Sequence, residues 1–187
     1  MKLLVYGSQT FGQVVRHLIA EGGHLFGGFV DDVHAGPDVL GPFDKVVGTH
    51  PPAEYGCVNA VGYNDLAARL KVTERVKAAG YEMPSLVHTR AYVGPQSRLQ
   101  SGCIVMAGAF VDVNVDVGPG AVIWPGAVVS HDSVVGGNTF LSPNSTVCGC
   151  CRIGSSCFVG AGAVIVDHAV VPDGSRIKAL ERYVTRR

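Results

Sequence analysis

The chain has 187 residues, room for one large domain or two small ones. Its 15 basic and 15 acidic side chains cancel, which excludes the clustered basic face of a nucleic-acid binder. Hydrophobic residues reach 47% with only 7% aromatics and 25 glycines, a composition suited to many short stacked strands rather than a large aromatic core.

The most apolar stretch, GAVIWPGAVV at 120–129, is too short to span a bilayer and carries Pro and Gly. Gly7 and the polar Ser8, Gln9 and Thr10 interrupt the apolar opening, so no signal-peptide layout is present. These features predict a cytoplasmic protein with no membrane partner. Its six cysteines are then expected to be reduced.

In chain order, Lys2 to Tyr6 reads as a short apolar strand ending at Gly7. Phe11 to Ala20 follows as a helix, with Val14, Val15, Leu18 and Ile19 at helical spacing and Gly22-Gly23 as its stop. Leu25 to Val30 is a second strand, ending at Asp31-Asp32. Residues 33–50, rich in Pro, Gly and Asp, read as loop. Val58 to Val61 is a third strand, followed by Gly62, Tyr63 and Asn64 and a helix over about 65–79. This alternation predicts a small parallel sheet, a Rossmann-like βαβ domain over residues 1–86. Ligands of such sheets sit beyond the carboxyl ends of the strands. That edge holds GSQTFG at 7–12, the Asp31-Asp32 pair, and Gly62 to Asn64.

From Val87 the pattern changes. Every sixth residue through Ile177 is Val, Leu or Ile, without a slip. Four residues after each comes a small or β-branched residue, from Ala91 through Ser175. Such hexapeptides signal a parallel β-helix, with three to a coil, over residues 87–187. The aliphatic position fills the interior and the small one fits the tight corner. Cys103, Cys151 and Cys157 fall on the small position, where a thiol is a compact hydrophobe. Cys148 and Cys150 fall outside it. The close spacing of Cys148, Cys150, Cys151 and Cys157 raises a metal site, but the repeat accounts for two of the four without one.

The strict register resembles the left-handed β-helix acyltransferases, and the left hand is taken from that resemblance. The whole arrangement resembles the sialic acid O-acetyltransferase (NeuD) family more closely. The residues that carry this are the Gly-rich first turn, FVDD at 29–32, the Val-Gly-Tyr-Asn segment at 61–64, LVHTRAYVGPQSRLQSGCIVMAGAFV at 86–111 and VVSHDSVVGG at 128–137. The family includes N-acetyltransferases acting on UDP- or GDP-linked 4-amino-4,6-dideoxysugars.

The resemblance implies an acetyl-CoA-dependent enzyme without a metal, assembled as a homotrimer. It implies His131 as general base beside Asp132. Imidazole titrates near neutrality, which suits removal of a proton from an attacking amine. It implies acetyl-CoA along a groove between neighbouring β-helices, lined here by Gly149, Ala161 and Ala179. Phe140 stands where some members carry a histidine near the cofactor, and is expected to bind the cofactor by packing against its pantetheine arm. It implies the nucleotide-sugar on the first domain, near Gln9, Thr10, Phe11, Asp31, Asp32, Gly62 and Asn64. His88 matches a structural junction of the family, and His168 is expected to face solvent. The basic end, including Arg176, Lys178, Arg182, Arg186 and Arg187, is expected to meet CoA phosphates or to be a solvated terminus.

Three other readings compete: O-acetylation of sialic acid or a related sugar, a non-catalytic β-helix scaffold, and a zinc enzyme on the same β-helix. The last needs three imidazoles converging on one ion. His88, His131 and His168 are 43 and 37 residues apart, offsets that place them on separate coils.

Overall fold

A computed structural model describes residues 1–185; Arg186 and Arg187 lie outside the described residues. The chain divides into two compact units, Met1–Leu86 and Val87–Arg187.

The first unit holds β1 (Lys2–Tyr6), α1 (Thr10–Glu21), β2 (Leu25–Val30), β3 (Val39–Gly41), α2 (Phe43–Thr49), β4 (Tyr55–Asn59) and α3 (Leu66–Ala78). Its four strands lie in the order β3-β2-β1-β4, all parallel. Leu3, Leu4, Val5, Phe29, Val30, Cys57 and Val58 are buried, as expected of strands covered on both faces.

Two expectations are corrected here. Residues 33–50 are not all loop: they include β3 and α2. The chemistry is tertiary, because the Asp32 carboxylate accepts from the Phe43 amide at 2.8 Å and so caps α2 from the far end of the segment. The last strand is Tyr55–Asn59 rather than Val58 to Val61. It stops where the Asn59 side chain accepts from the Val61 amide, a local turn that competes with strand pairing. Asn59 also donates to the Arg69 carbonyl and to Thr73 Oγ1. Arg69, 1% exposed, returns a hydrogen bond to the Asn59 carbonyl. That buried exchange joins α3 to β4. Asp65 caps α3 by accepting from the Ala68 amide.

In the second unit, each hexapeptide contributes a two-residue strand whose second residue is the aliphatic one. The strands form three parallel stacks. One runs from Leu86–Val87 to Arg176–Ile177, one from Tyr92–Val93 to Arg182–Tyr183, and one from Arg98–Leu99 to Val170–Val171. Partners are 18 residues apart throughout, as in Val122 with Phe140 and Ile123 with Leu141. The result is a parallel β-helix of about five turns. Its interior is a continuous column that includes Val105, Ile123, Leu141, Val159 and Ile165, all fully buried. Each such side chain stabilises the fold by about 1.5–3 kcal/mol.

The repeat extends one step further than the aliphatic pattern: Arg182–Tyr183 forms a strand, and Tyr183 packs against the column in the aliphatic position. A third register also runs through the coil. Every sixth residue from Gln96 to Leu180 has a positive φ, and Gly, Asn and Asp hold most of these corners. Hydroxyls at the small position tie coil to coil. Ser97, Ser133 and Thr139 accept from the amides of Val115, Cys151 and Cys157, each one coil later.

Candidate functional site

Two places gather polar chemistry, one in each unit. The first lies at the corner of the β-helix between the second and third stacks. Strand Val128–Val129 ends there and strand Val134–Val135 begins. Between them Asp132 takes φ 57°, a conformation Asp tolerates better than most residues. In a flat strand, neighbouring side chains would face opposite ways. At this corner the Asp132 carboxylate instead meets the preceding ring: His131 Nδ1 and Asp132 Oδ2 are 2.8 Å apart. Asn114, one coil earlier in the same column, donates to the other Asp132 oxygen at 3.2 Å. Both members of the pair are about half exposed.

The main chain under the pair is fixed. The His131 carbonyl accepts from the Cys150 amide at 3.0 Å and from Ser133 Oγ at 3.3 Å. The ring lies over Gly149, where a Cβ would come within 2.9 Å of Cε1 and Nε2. Gly149 in turn donates to Asp167 Oδ1 at 2.9 Å.

The electrostatics follow from these contacts. The hydrogen bond to Asp132 raises the His131 pKa above its ordinary 6.5; partial desolvation opposes this, and the charges of Asp132, Asp112 and Asp167 add to the rise. The same hydrogen bond holds Asp132 below the usual carboxylate range. With Nδ1 engaged by the carboxylate, Nε2 is the ring atom left to take a proton from an incoming group.

Donor atoms of His131, Asp132 and Cys150 lie within 4.8 Å of one another, the grouping among the described residues that invites a metal reading. Two of the three are exposed, and the imidazole and carboxylate already satisfy each other. His168 is exposed on the same corner, and His88 is buried with Nδ1 accepting from the Arg90 amide.

The small residues expected along a cofactor groove fall on two corners. Gly149 adjoins His131. Ala161 and Ala179 are exposed, one above the other, on the corner between the first and second stacks. One β-helix therefore does not bring all three together. Phe140 is corrected: its side chain is 1% exposed, packed between Trp124 and Phe158 with ring centroids 5.8 and 6.4 Å away. It presents no open surface to a cofactor arm. Its outward strand position is covered, which a pattern of interior residues does not reveal. Arg176 lies over Phe158 at 4.7 Å, which gives one member of the basic end a packing role.

The second place is a cavity of about 350 Å³ in the first unit. It sits beyond the carboxyl ends of β1, β2 and β4, beside the strand where the sheet order reverses. Tyr6, Gly7, Gln9, Asp31, Asp32, Val33, His34, Ala60, Val61, Gly62 and Val72 line it. Of the residues expected there, the structure brings together Gln9, Asp31, Asp32 and Gly62. Thr10, Phe11 and Asn64 are not part of the lining. Gly7 has φ 105°, and a Cβ on Gly12 would stand 2.0 Å from the Gly7 carbonyl oxygen. The two glycines of GSQTFG thus allow the turn to fold tightly onto α1.

Asp31 is buried. Burial alone would raise its pKa, but hydrogen bonds from Ser8, His34 and Val33 outweigh it and hold the carboxyl well below the usual range. Asp32 is lowered for the same kind of reason, with donation from Tyr6, Phe43 and Arg75 overcoming burial. Burial and the Asp32 carboxylate push the Tyr6 phenol up, so it stays a donor. Arg75 bridges Asp32 and Asp44 at 2.8 and 2.6 Å. Tyr6, His34 and Arg75 were not expected from the sequence. A hydrogen-bonded Asp in a tight turn points to its i+2 and i+3 neighbours, and that signal would have found His34.

Residues 132–167 match the family model described as bacterial transferase hexapeptide (six repeats). The matched residues lie within the β-helix. No curated protein matches the sequence. Among solved structures, this hexapeptide protein is similar to the acetyltransferase domain of PglB from Neisseria gonorrhoeae, with 29% identity and a TM-score of 0.86 over 95% of this chain and 88% of that one. The same domain in complex with acetyl coenzyme A matches with 28% identity and a TM-score of 0.87, over 98% of this chain and 90% of that one. PerB from Caulobacter crescentus, in complex with CoA and GDP-perosamine, matches with 25% identity and a TM-score of 0.77 over 96% and 95% of the two chains. No helix of the described residues is long and apolar enough to cross a membrane.

Proposed function

We propose that the protein is an acetyl-CoA-dependent N-acetyltransferase acting on the amino group of a nucleotide-linked 4-amino-4,6-dideoxysugar. The observation that carries this reading is the exposed His131–Asp132 pair seated over Gly149. The likeness to an acetyl-CoA complex of the PglB domain and to a CoA and GDP-perosamine complex of PerB supports the choice of co-substrate and acceptor.

The geometry supports the following roles. Asp132 holds Nδ1–H, which leaves Nε2 as the base. The neutral sugar amine attacks the thioester carbonyl, forming the C–N bond. Nε2 takes the amine proton as the C–S bond breaks, and the leaving thiolate receives it from the imidazolium. Asp132 stabilises the imidazolium while it lasts. General base catalysis of this kind contributes about 10²–10⁴-fold.

A homotrimer accounts for the two corners. Gly149 and the Ala161–Ala179 step meet one acetyl-CoA only if the corner of one copy faces the other corner of its neighbour. The nucleotide part of the acceptor is assigned to the cavity beyond β1, β2 and β4, with Gln9 and Gly62 in its wall. We place the reaction in the cytoplasm.

The test is thiol release from acetyl-CoA against UDP-, GDP- and dTDP-linked 4-amino sugars and free sialic acid, with His131→Ala alongside. Turnover of one nucleotide-sugar, lost in the variant, is expected. Turnover of sialic acid alone would replace N- by O-acetylation. Failure to bind acetyl-CoA would leave the scaffold reading.

A further inference from the structure

The cavity of the first unit is walled by polar groups that the fold itself has already satisfied. Asp31 Oδ2 accepts from the Ser8 amide at 2.9 Å and from Ser8 Oγ at 2.6 Å. Asp31 Oδ1 accepts from the amides of Val33 and His34 at 3.0 and 2.8 Å. A carboxylate has about four lone-pair sites, so these four donors and the longer 3.2 Å contact from His34 Nδ1 to Oδ1 leave no room for a ligand. Asp32 takes three donors. Oδ2 accepts from Tyr6 at 2.5 Å and from Arg75 at 2.8 Å, and Oδ1 accepts from the Phe43 amide. The Tyr6 hydroxyl, having donated to Asp32, accepts from Arg75 at 2.9 Å. The two carboxylates expected to contact a ligand are therefore scaffolding. They hold the Ser8 turn, the 31–34 turn and the start of α2.

Gln9 and His34 are the lining side chains least engaged by the fold. Gln9 makes one long contact, from Nε2 to Ser8 Oγ at 3.4 Å. His34 is the better-placed reader. Its backbone is pinned by Asp31 and its Nδ1 stands 3.2 Å from Asp31 Oδ1. An ionised, buried carboxylate at that nitrogen selects the Nδ1–H tautomer. Nε2 is then an acceptor, on a side chain that is half exposed and lines the cavity.

We propose that His34, oriented by Asp31, is the specificity-determining side chain of this cavity, and that its Nε2 accepts a hydrogen bond from an N–H or O–H of the nucleoside half of the acceptor. The proposal rests on the nucleotide-sugar reading given above. The wall chemistry favours the nucleoside over the pyrophosphate. Val33, Ala60, Val61 and Val72 offer apolar surface to a flat base, and two ionised carboxylates disfavour phosphate groups against the same wall. Arg75, the cation bound to that wall, is bridged to Asp32 and Asp44. A cavity of about 350 Å³ fits a nucleoside and little more.

The experiment is calorimetric titration of the full chain with UDP, GDP and dTDP, for wild type, His34→Ala and His34→Gln, together with steady-state kinetics. The wild type is expected to prefer one nucleotide. His34→Ala should weaken that nucleotide about five- to tenfold, the loss of one hydrogen bond. The change should appear in KM for the nucleotide-sugar rather than in kcat or in KM for acetyl-CoA. His34→Gln, whose amide oxygen accepts a hydrogen bond, should recover most of the affinity. Because His34 is half exposed, the melting temperature should stay the same in both variants. Equal nucleotide affinity in wild type and His34→Ala, with acetyl transfer intact, overturns the role of His34 and leaves the reaction standing. A wild type that binds no nucleoside diphosphate and acetylates no nucleotide-sugar overturns the reading and this proposal together.

Discussion

The imidazole of His131 rests on Gly149: a Cβ built on that glycine would lie 2.9 Å from both Cε1 and Nε2. The contact joins one coil to the next and sets where the ring can stand. It ties the imidazole to a position that has no side chain of its own.

Gly149→Ala should therefore displace the ring without disturbing the coil. The φ of Gly149 is not in the positive range, so alanine is tolerated by the main chain there. A kcat loss of about tenfold to a hundredfold is expected, since misplacing a catalytic group by about 1 Å has effects of that order. Thermal unfolding should change little. A variant with full activity would show that the ring need not rest on this glycine.

Under the proposed mechanism the raised pKa of His131 sets the acid limb of the pH profile. The base works when neutral, so kcat/KM should fall as pH drops through a value above the imidazole's ordinary 6.5. Asp132→Asn removes the carboxylate that is the largest cause of the rise. Its acid limb should move to lower pH while the plateau drops about tenfold to a hundredfold. Asn suits the positive-φ corner at 132, so this variant isolates charge from backbone strain. An unmoved limb would assign the titration to another group.

Ser133 tests what holds successive coils together. Its hydroxyl accepts from the Cys151 amide at 3.1 Å and donates to the Cys148 carbonyl at 3.0 Å. Ser133→Ala leaves that buried amide without its partner and should cost about 1–3 kcal/mol in denaturant unfolding. Ser133→Thr, which keeps the hydroxyl and matches Thr139 one hexapeptide later, should cost less.

Gly12 tests the first unit. With Gly7 O only 2.0 Å from an added Cβ, Gly12→Ala forces the turn away from α1. About 1–3 kcal/mol of destabilisation is expected, as for overpacking elsewhere. Loss of nucleotide binding should accompany it, because Gly7 and Gln9 line the cavity.

The β-helix was legible residue by residue, because each rung makes the same demand every six positions. Val105, Ile123 and Leu141 announce one column without any knowledge of the others. The corner register was legible too, in the Gly, Asn and Asp that recur at every sixth position, although only the aliphatic and small positions were used. Tyr183 was missed because an aromatic ring took a place held elsewhere by an aliphatic chain. The β3–α2 segment was illegible for a different reason: Asp32 caps α2 from 11 residues away in sequence.

By itself, then, the sequence determined the period, the inward-facing column and the adjacency of His131 and Asp132. Those are local or strictly periodic properties, and each hexapeptide states them alone. Only the tertiary structure decided which polar atoms remain for a ligand. It buried Phe140, engaged Asp31 and Asp32 with the fold's own donors, and set His34 in the cavity wall with Nδ1 against Asp31. Hydrogen-bond capacity is finite, and how it is divided depends on partners brought together from distant parts of the chain.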